Sequence, residues 1–529
     1  MSRLTAHSIF NDVLGPIMAG PSSSHSAGCA RIGLTVCHLF GREIRRADVV
    51  YDAEGSYPST CVGQGSNFGF TGGLLGMKTD EPNLKDSLQI AEERGVDIRF
   101  LEESLSHRHP NEARIDVYDE TGTIELRALT FSTGGGTFEI VELDGFPVFI
   151  DGSCKMSFVK CKASCVEEVS RELSQRHLSS EWIQSEEKEG AVLFTLKNLT
   201  QAEEEEMTKL LQIMPEKVLA VRHTGTILPI SMSGNAPAFS TAKEAGDYEQ
   251  QQDGEMSAAE LALLYETSIG RVTTEEVMEI AAHTLEVMKH AATNPPDPAT
   301  TKRYGFLPYR AKEMWKNYEK MAAAGTLANT GCLEKGMLYA LSVMENNCAH
   351  HTVVAAPTAG SSGVIPAALL SVAEANQFED AVMLKGLLAA GLVGAFIANE
   401  ATFGAEVAGC QAENGSASAM AAAAVVEMLG GTVEQGFRAA SLALQNMLGL
   451  VCDPVGGLTE IPCISRNVAA VSNAITSANM VLLGFDPMIP LDETIQSMYE
   501  VGQMLPEELR CTCNGGLCTT PTGMCLGRK

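Results

Sequence analysis

The spacing of apolar and polar positions changes character three times along the chain. Within residues 1–144, short period-two runs at 47–51, 113–117 and 125–131 predict strands, with a helix over 27–40 and glycine-rich turns between them. Residues 145–224 predict strands at 146–150 and 158–162, a helix over 165–177, and strands at 182–185 and 192–196. A helix over 201–214 and a strand at 217–222 complete that segment. The resulting β-α-β-β-α-β order predicts a ferredoxin-like α+β module. Residues 225–257 are polar and poor in large apolar side chains, the pattern of a linker. From 258 to 529 the period becomes helical, with helices expected over 274–291, 336–347, 381–399, 417–429, 433–448 and 467–483. The expected fold class is therefore multidomain: an N-terminal α/β domain, a ferredoxin-like module and a mainly α-helical C-terminal domain.

Composition narrows the function classes. The length of 529 residues allows two to four domains, and a formal net charge of −28 disfavours nucleic acid and anionic membranes as partners. The N-terminal stretch lacks a basic-then-apolar signal pattern. The longest apolar runs, near 386–398 and 417–426, read as too short to span a bilayer. The expectation is a cytoplasmic protein, in which fifteen cysteines would stay reduced rather than form a disulfide framework.

Three of those cysteines stand in turns at helix ends: Cys410 in AGCQAENGSAS, Cys452 in LGLVCDPVGG and Cys463 in EIPCISRN. Thiolates presented from rigid turns can hold iron, and three of them on a [4Fe–4S] cube leave one iron open as a Lewis acid. Spacings of 42 and 11 residues are equally compatible with buried structural thiols. Near the C-terminus, Cys511, Cys513, Cys518 and Cys525 have a spacing unlike paired zinc-knuckle ligands, so incidental thiols and a metal site both stay open there. His350 and His351 read as helix-end polar residues or metal ligands, and Gly134–Gly136 lacks the dinucleotide fingerprint.

The longer motifs add what spacing does not. GCQAENGSASAMAAAA, NMLGLVCDPVGGLTEIPCISRN and APTAGSSGVIPA resemble the catalytic α part of iron–sulfur-dependent L-serine dehydratases (L-serine ammonia-lyases), and the tail GGLCTTPTG resembles that family's ending. LGPIMAGPSSSHSAGCARIG resembles the family's β part, so the chain looks like a fusion of both parts around an ACT-like, small-molecule-sensing module. The resemblance implies that Cys410, Cys452 and Cys463 hold a [4Fe–4S] cluster; no lysine stands in a pyridoxal-phosphate motif, so that cofactor is not expected. It also implies that Ser22, Ser23, Ser24, His25, Thr358, Gly360, Ser361 and Ser362 line a pocket for a small amino acid. Ser24 and His25 become the catalytic candidates, and Cys525 a possible fourth cluster ligand, by analogy with relatives whose terminal thiolate caps the open iron. An effector at the ACT-like module and a homodimer are further expectations.

Two stretches depart from the family. Gln64 and Asn67 stand where relatives carry a histidine and an aspartate, which leaves His25 as the ionisable group of a matched pocket motif. Glu400–Ala401–Thr402–Phe403–Gly404–Ala405–Glu406 replaces Asn-Ala-Ser-Ile-Ser-Gly-Ala, with added carboxylates and a phenyl group near Cys410. L-serine is the expected substrate. Alternatives are L-cysteine desulfidation, L-threonine dehydration, or a non-catalytic cluster-bearing sensor of amino acids or redox state.

Overall fold

A computed structural model of the chain describes residues 6–176, 182–252 and 255–527. Its contacts form two compact units whose limits differ from the sequence-based boundaries. One unit is strand-rich and comprises Gly28–Thr133 and Thr137–Met232; the other is helical and comprises the chain up to Ala27, Gly134–Gly136 and the chain from Ser233 on.

In the strand-rich unit a six-stranded sheet runs in the order Asp97–Glu103, Arg46–Asp52, Glu112–Tyr118, Ile124–Gly134, Thr137–Leu143, Phe146–Ile150. Period-two positions Ala47, Val49, Tyr51, Ala113, Ile115 and Val117 all enter one core, and Val49 stands opposite Ile115. Helix Gly28–Phe40 lies against Ser66–Leu74 at close range: a methyl on Gly33 would sit 2.7 Å from Phe70 O and 2.8 Å from Leu74 N. Strand Phe146–Ile150, expected in the next module, pairs instead with Thr137–Leu143. Asp144 (φ 50°) and Gly145 (φ 86°) form the tight turn that dictates this pairing.

A four-stranded antiparallel sheet follows, ordered Val218–His223, Met156–Lys162, Ala191–Lys197, Trp182–Gln184. Its alternation serves two cores. Phe158, Ala191 and Leu193 join the core of the larger sheet, whereas Val159, Cys161, Val192, Phe194 and Leu196 meet Val169, Leu173, Met207 and Leu210. Those last four belong to helices Val166–Gln175 and Gln201–Ile213. The expected helix over 165–177 ends at His177, which lies outside the described residues.

The helical unit is built around Ser416–Met428. This helix packs on Asp380–Glu400, Val433–Gln445, Cys463–Leu482 and Val364–Asn376, a neighbourhood its run of buried alanines permits. Asp380–Glu400 has 21 residues and a mean hydropathy of 2.0 over its best window, so by length and composition it could cross a membrane, unlike the shorter run read from sequence. In the fold, 72% of that window is buried, and a methyl on Gly394 would run into Val13 and Met420. The 225–257 segment is more than a linker: Thr241 caps helix Ala242–Gln251, and Phe239 is buried against Tyr265 and Phe396. The first described residues also belong here. Ser8 Oγ and Ile9 N donate to buried Glu266, and Ile17–Ala19 pairs with Thr352–Val354.

Candidate active site

Cys410 leads into the wide turn Gln411–Gly415, which continues as Ser416–Met428. Gln411 fixes that turn. Its N–H donates to Leu450 O (3.0 Å), its Nε2 to Ala408 O (2.9 Å) and Met498 O (3.0 Å), and its Oε1 accepts from Gly449 N (2.9 Å). One side chain thereby ties the Cys410 turn to the loop that carries Cys452. That loop is held in turn by the tail, because Cys452 N donates to Leu509 O (2.8 Å) and Cys511 N to Cys452 O (2.9 Å). Cys463 opens helix Cys463–Leu482, and Arg466 follows one turn later. The Arg466 guanidinium donates to Val451 O (2.9 Å) and Asp453 Oδ1 (2.8 Å) and reaches Cys410 Sγ at 3.6 Å.

The thiols converge. Sγ of Cys410, Sγ of Cys452 and a carboxylate oxygen of Glu413 lie within 4.8 Å of one another, a spacing that can hold a metal ion. The Cys452 thiol packs against those of Cys410 and Cys511, which push its pKa well up, with burial adding to the shift. Burial raises the Cys463 thiol likewise, and the nearby Cys410, Glu413 and Cys511 raise it further. Glu413 faces Cys410 Sγ at 3.7 Å with one oxygen and accepts from Thr358 Oγ1 (2.8 Å) with the other. Burial lifts its pKa to about 7.

Through Thr358 the thiols join the hydroxyl-rich loops. Ser361 Oγ accepts from Thr358 N (3.3 Å), and Ser362 Oγ donates to Ala359 O (2.8 Å), so both hydroxyls shape their own loop. Asn467 pins this loop to the Cys463 helix, donating to Gly360 O (2.7 Å) and accepting from Gly363 N (3.0 Å). Ser23 Oγ accepts from Ala359 N (3.3 Å), which joins the N-terminal serine loop to the Thr358 loop. Ser22 Oγ accepts from His25 N (3.1 Å), and Ser24 is half-buried in the same turn. Burial lowers the His25 imidazole to about 4, so the ring is neutral at pH 7.

Among the residues expected from sequence, Ser23 is linked to the Thr358 loop through Ala359, Thr358 to Cys410 through Glu413, and Cys410 lies beside Cys452, with Cys463 in the electrostatic reach of Cys410. Cys525 is exposed on helix Pro521–Gly527, outside the metal-competent group. Glu413, Arg466 and Asn467 were missed as site residues, and Cys511, read only within the C-terminal cysteine group, packs instead against Cys410 and Cys452. A helical repeat held the signal for two of them, since Glu413 and Arg466 each lie three residues beyond a site cysteine. His350 stacks on Tyr304 with ring centroids 3.9 Å apart, and His351 Nδ1 lies 2.9 Å from Asn346 Oδ1. Gln64 and Asn67 lie in the strand-rich unit, where Asn67 Oδ1 accepts from Phe68 N (2.8 Å).

A buried gathering of thiols, braced by a carboxylate and a guanidinium and adjoined by serine and threonine loops, defines a metal-competent enzyme centre in a helical unit. Residues 176–518 match the family described as serine dehydratase alpha chain, and the chain belongs to that family. It is 42% identical over 269 residues to the L-serine dehydratase alpha chain of Peptoniphilus asaccharolyticus, covering 51% of this chain and 91% of that one. Identity to the probable L-serine dehydratase alpha chain of Bacillus subtilis is 40% over 271 residues, covering 51% and 89%. The L-serine dehydratase of Streptomyces coelicolor is 46% identical over 184 residues, covering 34% of this chain and 40% of its own length.

Proposed function

We propose that the chain is an L-serine dehydratase, a lyase that eliminates water from L-serine and yields pyruvate and ammonia. The reading is carried by one connected path: Ser23 to Ala359, Thr358 to Glu413, Glu413 to Cys410, and Cys410 to Cys452. Cys410, Cys452 and Cys463 are the three residues that would hold a [4Fe–4S] cluster. The site suits such a group: its thiols are free of disulfides, and Asn414 Nδ2, one residue beyond Glu413, is a buried donor without a protein partner. Unpartnered buried amides are costly, so a sulfide or a substrate oxygen fits there. When bound, a cluster with one open iron supplies the Lewis acid that turns a hydroxyl into a leaving group.

The chain's own residues do the rest. The Ser22–His25 turn and the Thr358–Ser362 loop offer hydroxyls and backbone N–H groups to the substrate carboxylate. Neutral His25 can accept the α-proton, and an arriving carboxylate raises the basicity of a buried imidazole. Loss of water then leaves an enamine, which tautomerises to an imine and hydrolyses to pyruvate and ammonia. Burial of Cys410, Cys452 and Cys463 keeps bulk water from the thiolates.

The four-stranded sheet with helices Val166–Gln175 and Gln201–Ile213 supports the further reading of an ACT-like module for a small effector, since its β-α-β-β-α-β order is the one those modules use.

The test is turnover of L-serine by protein prepared without oxygen. Equal amounts of pyruvate and ammonia are expected from the wild type and none from Cys410→Ala. A cluster-loaded wild type that releases no pyruvate from serine would remove the reading.

A further inference from the structure

The tail holds a second pair of thiols that the proposed reaction does not use. Cys513 Sγ and Cys518 Sγ both donate to the same acceptor, Pro454 O, at 3.3 and 3.1 Å. Sharing one acceptor brings the two thiols together, and each perturbs the other's proton affinity. The backbone between them is held in a fixed turn. Cys513 (φ 60°) and Gly516 (φ 58°) are left-handed, and Leu517 N donates to Asp453 Oδ2 (2.8 Å). A side chain on Gly516 would collide with Asp453, so the turn takes this shape only with glycine there. A non-glycine residue held in the left-handed region costs about 1 kcal/mol or more, and such strain persists where surrounding contacts impose it.

We propose that Cys513 and Cys518 are a reversible redox-modification site, oxidised to an intramolecular disulfide by a peroxide or a low-molecular-weight disulfide. With a peroxide, one thiolate attacks an oxygen to give a sulfenic acid and water. The second thiol then displaces a second water and forms the S–S bond. With a disulfide such as oxidised glutathione, two thiol exchanges release two reduced thiols and two electrons pass to the oxidant. In both routes Pro454 O loses its two S–H donors. The bond closes the loop that follows Cys511, whose backbone is anchored to Cys452, and so constrains the tail beside the thiol centre. Burial keeps both thiols protonated at neutral pH, Cys518 more strongly, so the pair reacts slowly and faster as pH rises.

The experiment treats the anaerobically prepared full-length protein with oxidised glutathione and maps thiols by mass spectrometry without reduction. Cys513 and Cys518 share the tryptic peptide that begins at Cys511. The expected product is that peptide lighter by two hydrogens, with fragment ions placing the bond between Cys513 and Cys518, at unchanged iron content. Its rate of formation should rise roughly tenfold per pH unit between pH 7 and 8, following the thiolate fraction. Cys513→Ser and Cys518→Ser should each abolish the product, and Cys525→Ser, which alters an exposed thiol, should not. A bond placed on Cys511 or Cys525, or a stable glutathione adduct in its place, would overturn the assignment. Because the readout is a mass, its failure is distinct from failure to dehydrate serine.

Discussion

Cys161 and Cys410 are both buried cysteines, one in each unit, and their surroundings differ in kind. Cys161 packs among Val159, Val169, Leu173 and Phe194, an apolar core between a sheet and two helices. Cys29, in the same unit, packs in the apolar core of the larger sheet and reaches the Tyr57 hydroxyl at 3.4 Å. Cys410 instead meets Glu413, Arg466 and the Cys452 thiol. Burial alone therefore does not separate a packing thiol from a ligand. Charged and polar company at a spacing that can hold a metal ion does separate them.

The largest expected contrast comes from removing one thiol in each unit. Cys410→Ala should abolish iron binding and lower serine turnover by about a thousandfold or more, as loss of a catalytic metal centre does. Cys161→Ala should leave iron content intact and cost only about 1–2 kcal/mol in a denaturant melt. Equal iron in both variants would erase the distinction.

Arg466 extends the contrast to charge. Its substitution by Met removes the cationic partner of Asp453, whose side chain is 5% exposed, and should cost about 3 kcal/mol as well as weakening the site. An unchanged midpoint in a thermal melt would mean that the pair contributes little.

Two buried titrating groups of the helical unit act in opposite directions over one pH window. Glu266, with an ordinary value of 4.5, is pushed to about 7 by burial. Between those values the folded chain keeps a proton that the unfolded chain releases, so this group costs stability as pH rises. His25, ordinarily 6.5, falls to about 4, so its contribution is present above pH 6.5 and is lost as pH drops towards 4. Glu266→Gln should therefore gain on the wild type by about 3 kcal/mol from pH 4.5 to pH 7. Urea melts at several pH values check the slope; a flat difference would contradict the burial argument.

The smallest effect is steric. Gly394→Ala should destabilise the helical unit by about 1–3 kcal/mol, because Val13 and Met420 already occupy the space.

Much of the fold was legible as periodicity. The runs at 47–51 and 113–117 became Arg46–Asp52 and Glu112–Tyr118, and the run at 381–399 became Asp380–Glu400, because these segments bury one face or all faces consistently. Other features were present in the sequence but went unread. Asp144-Gly145 is a hairpin signal that assigns Phe146–Ile150 to the larger sheet, and Thr241 with Glu244 marks a helix start inside the polar 225–257 stretch. The union of Ser8, Ile17–Ala19 and Ser23 with residues past 260 rests on long-range pairing, which no local pattern encodes. The same holds at the site. The turns bearing Cys410, Cys452 and Cys463 could be singled out in the sequence, whereas Cys511 joins them only because the tail folds back along Cys452.

The central claim is that the Cys410 centre, unlike the buried thiols of the strand-rich unit, exists to hold iron and sulfide. Iron and acid-labile sulfide measured per chain in anaerobically prepared wild type test it most directly. The account predicts about four of each, lost together in Cys410→Ala and retained in Cys161→Ala. Wild-type protein without stoichiometric iron, or iron that survives Cys410→Ala, would contradict it.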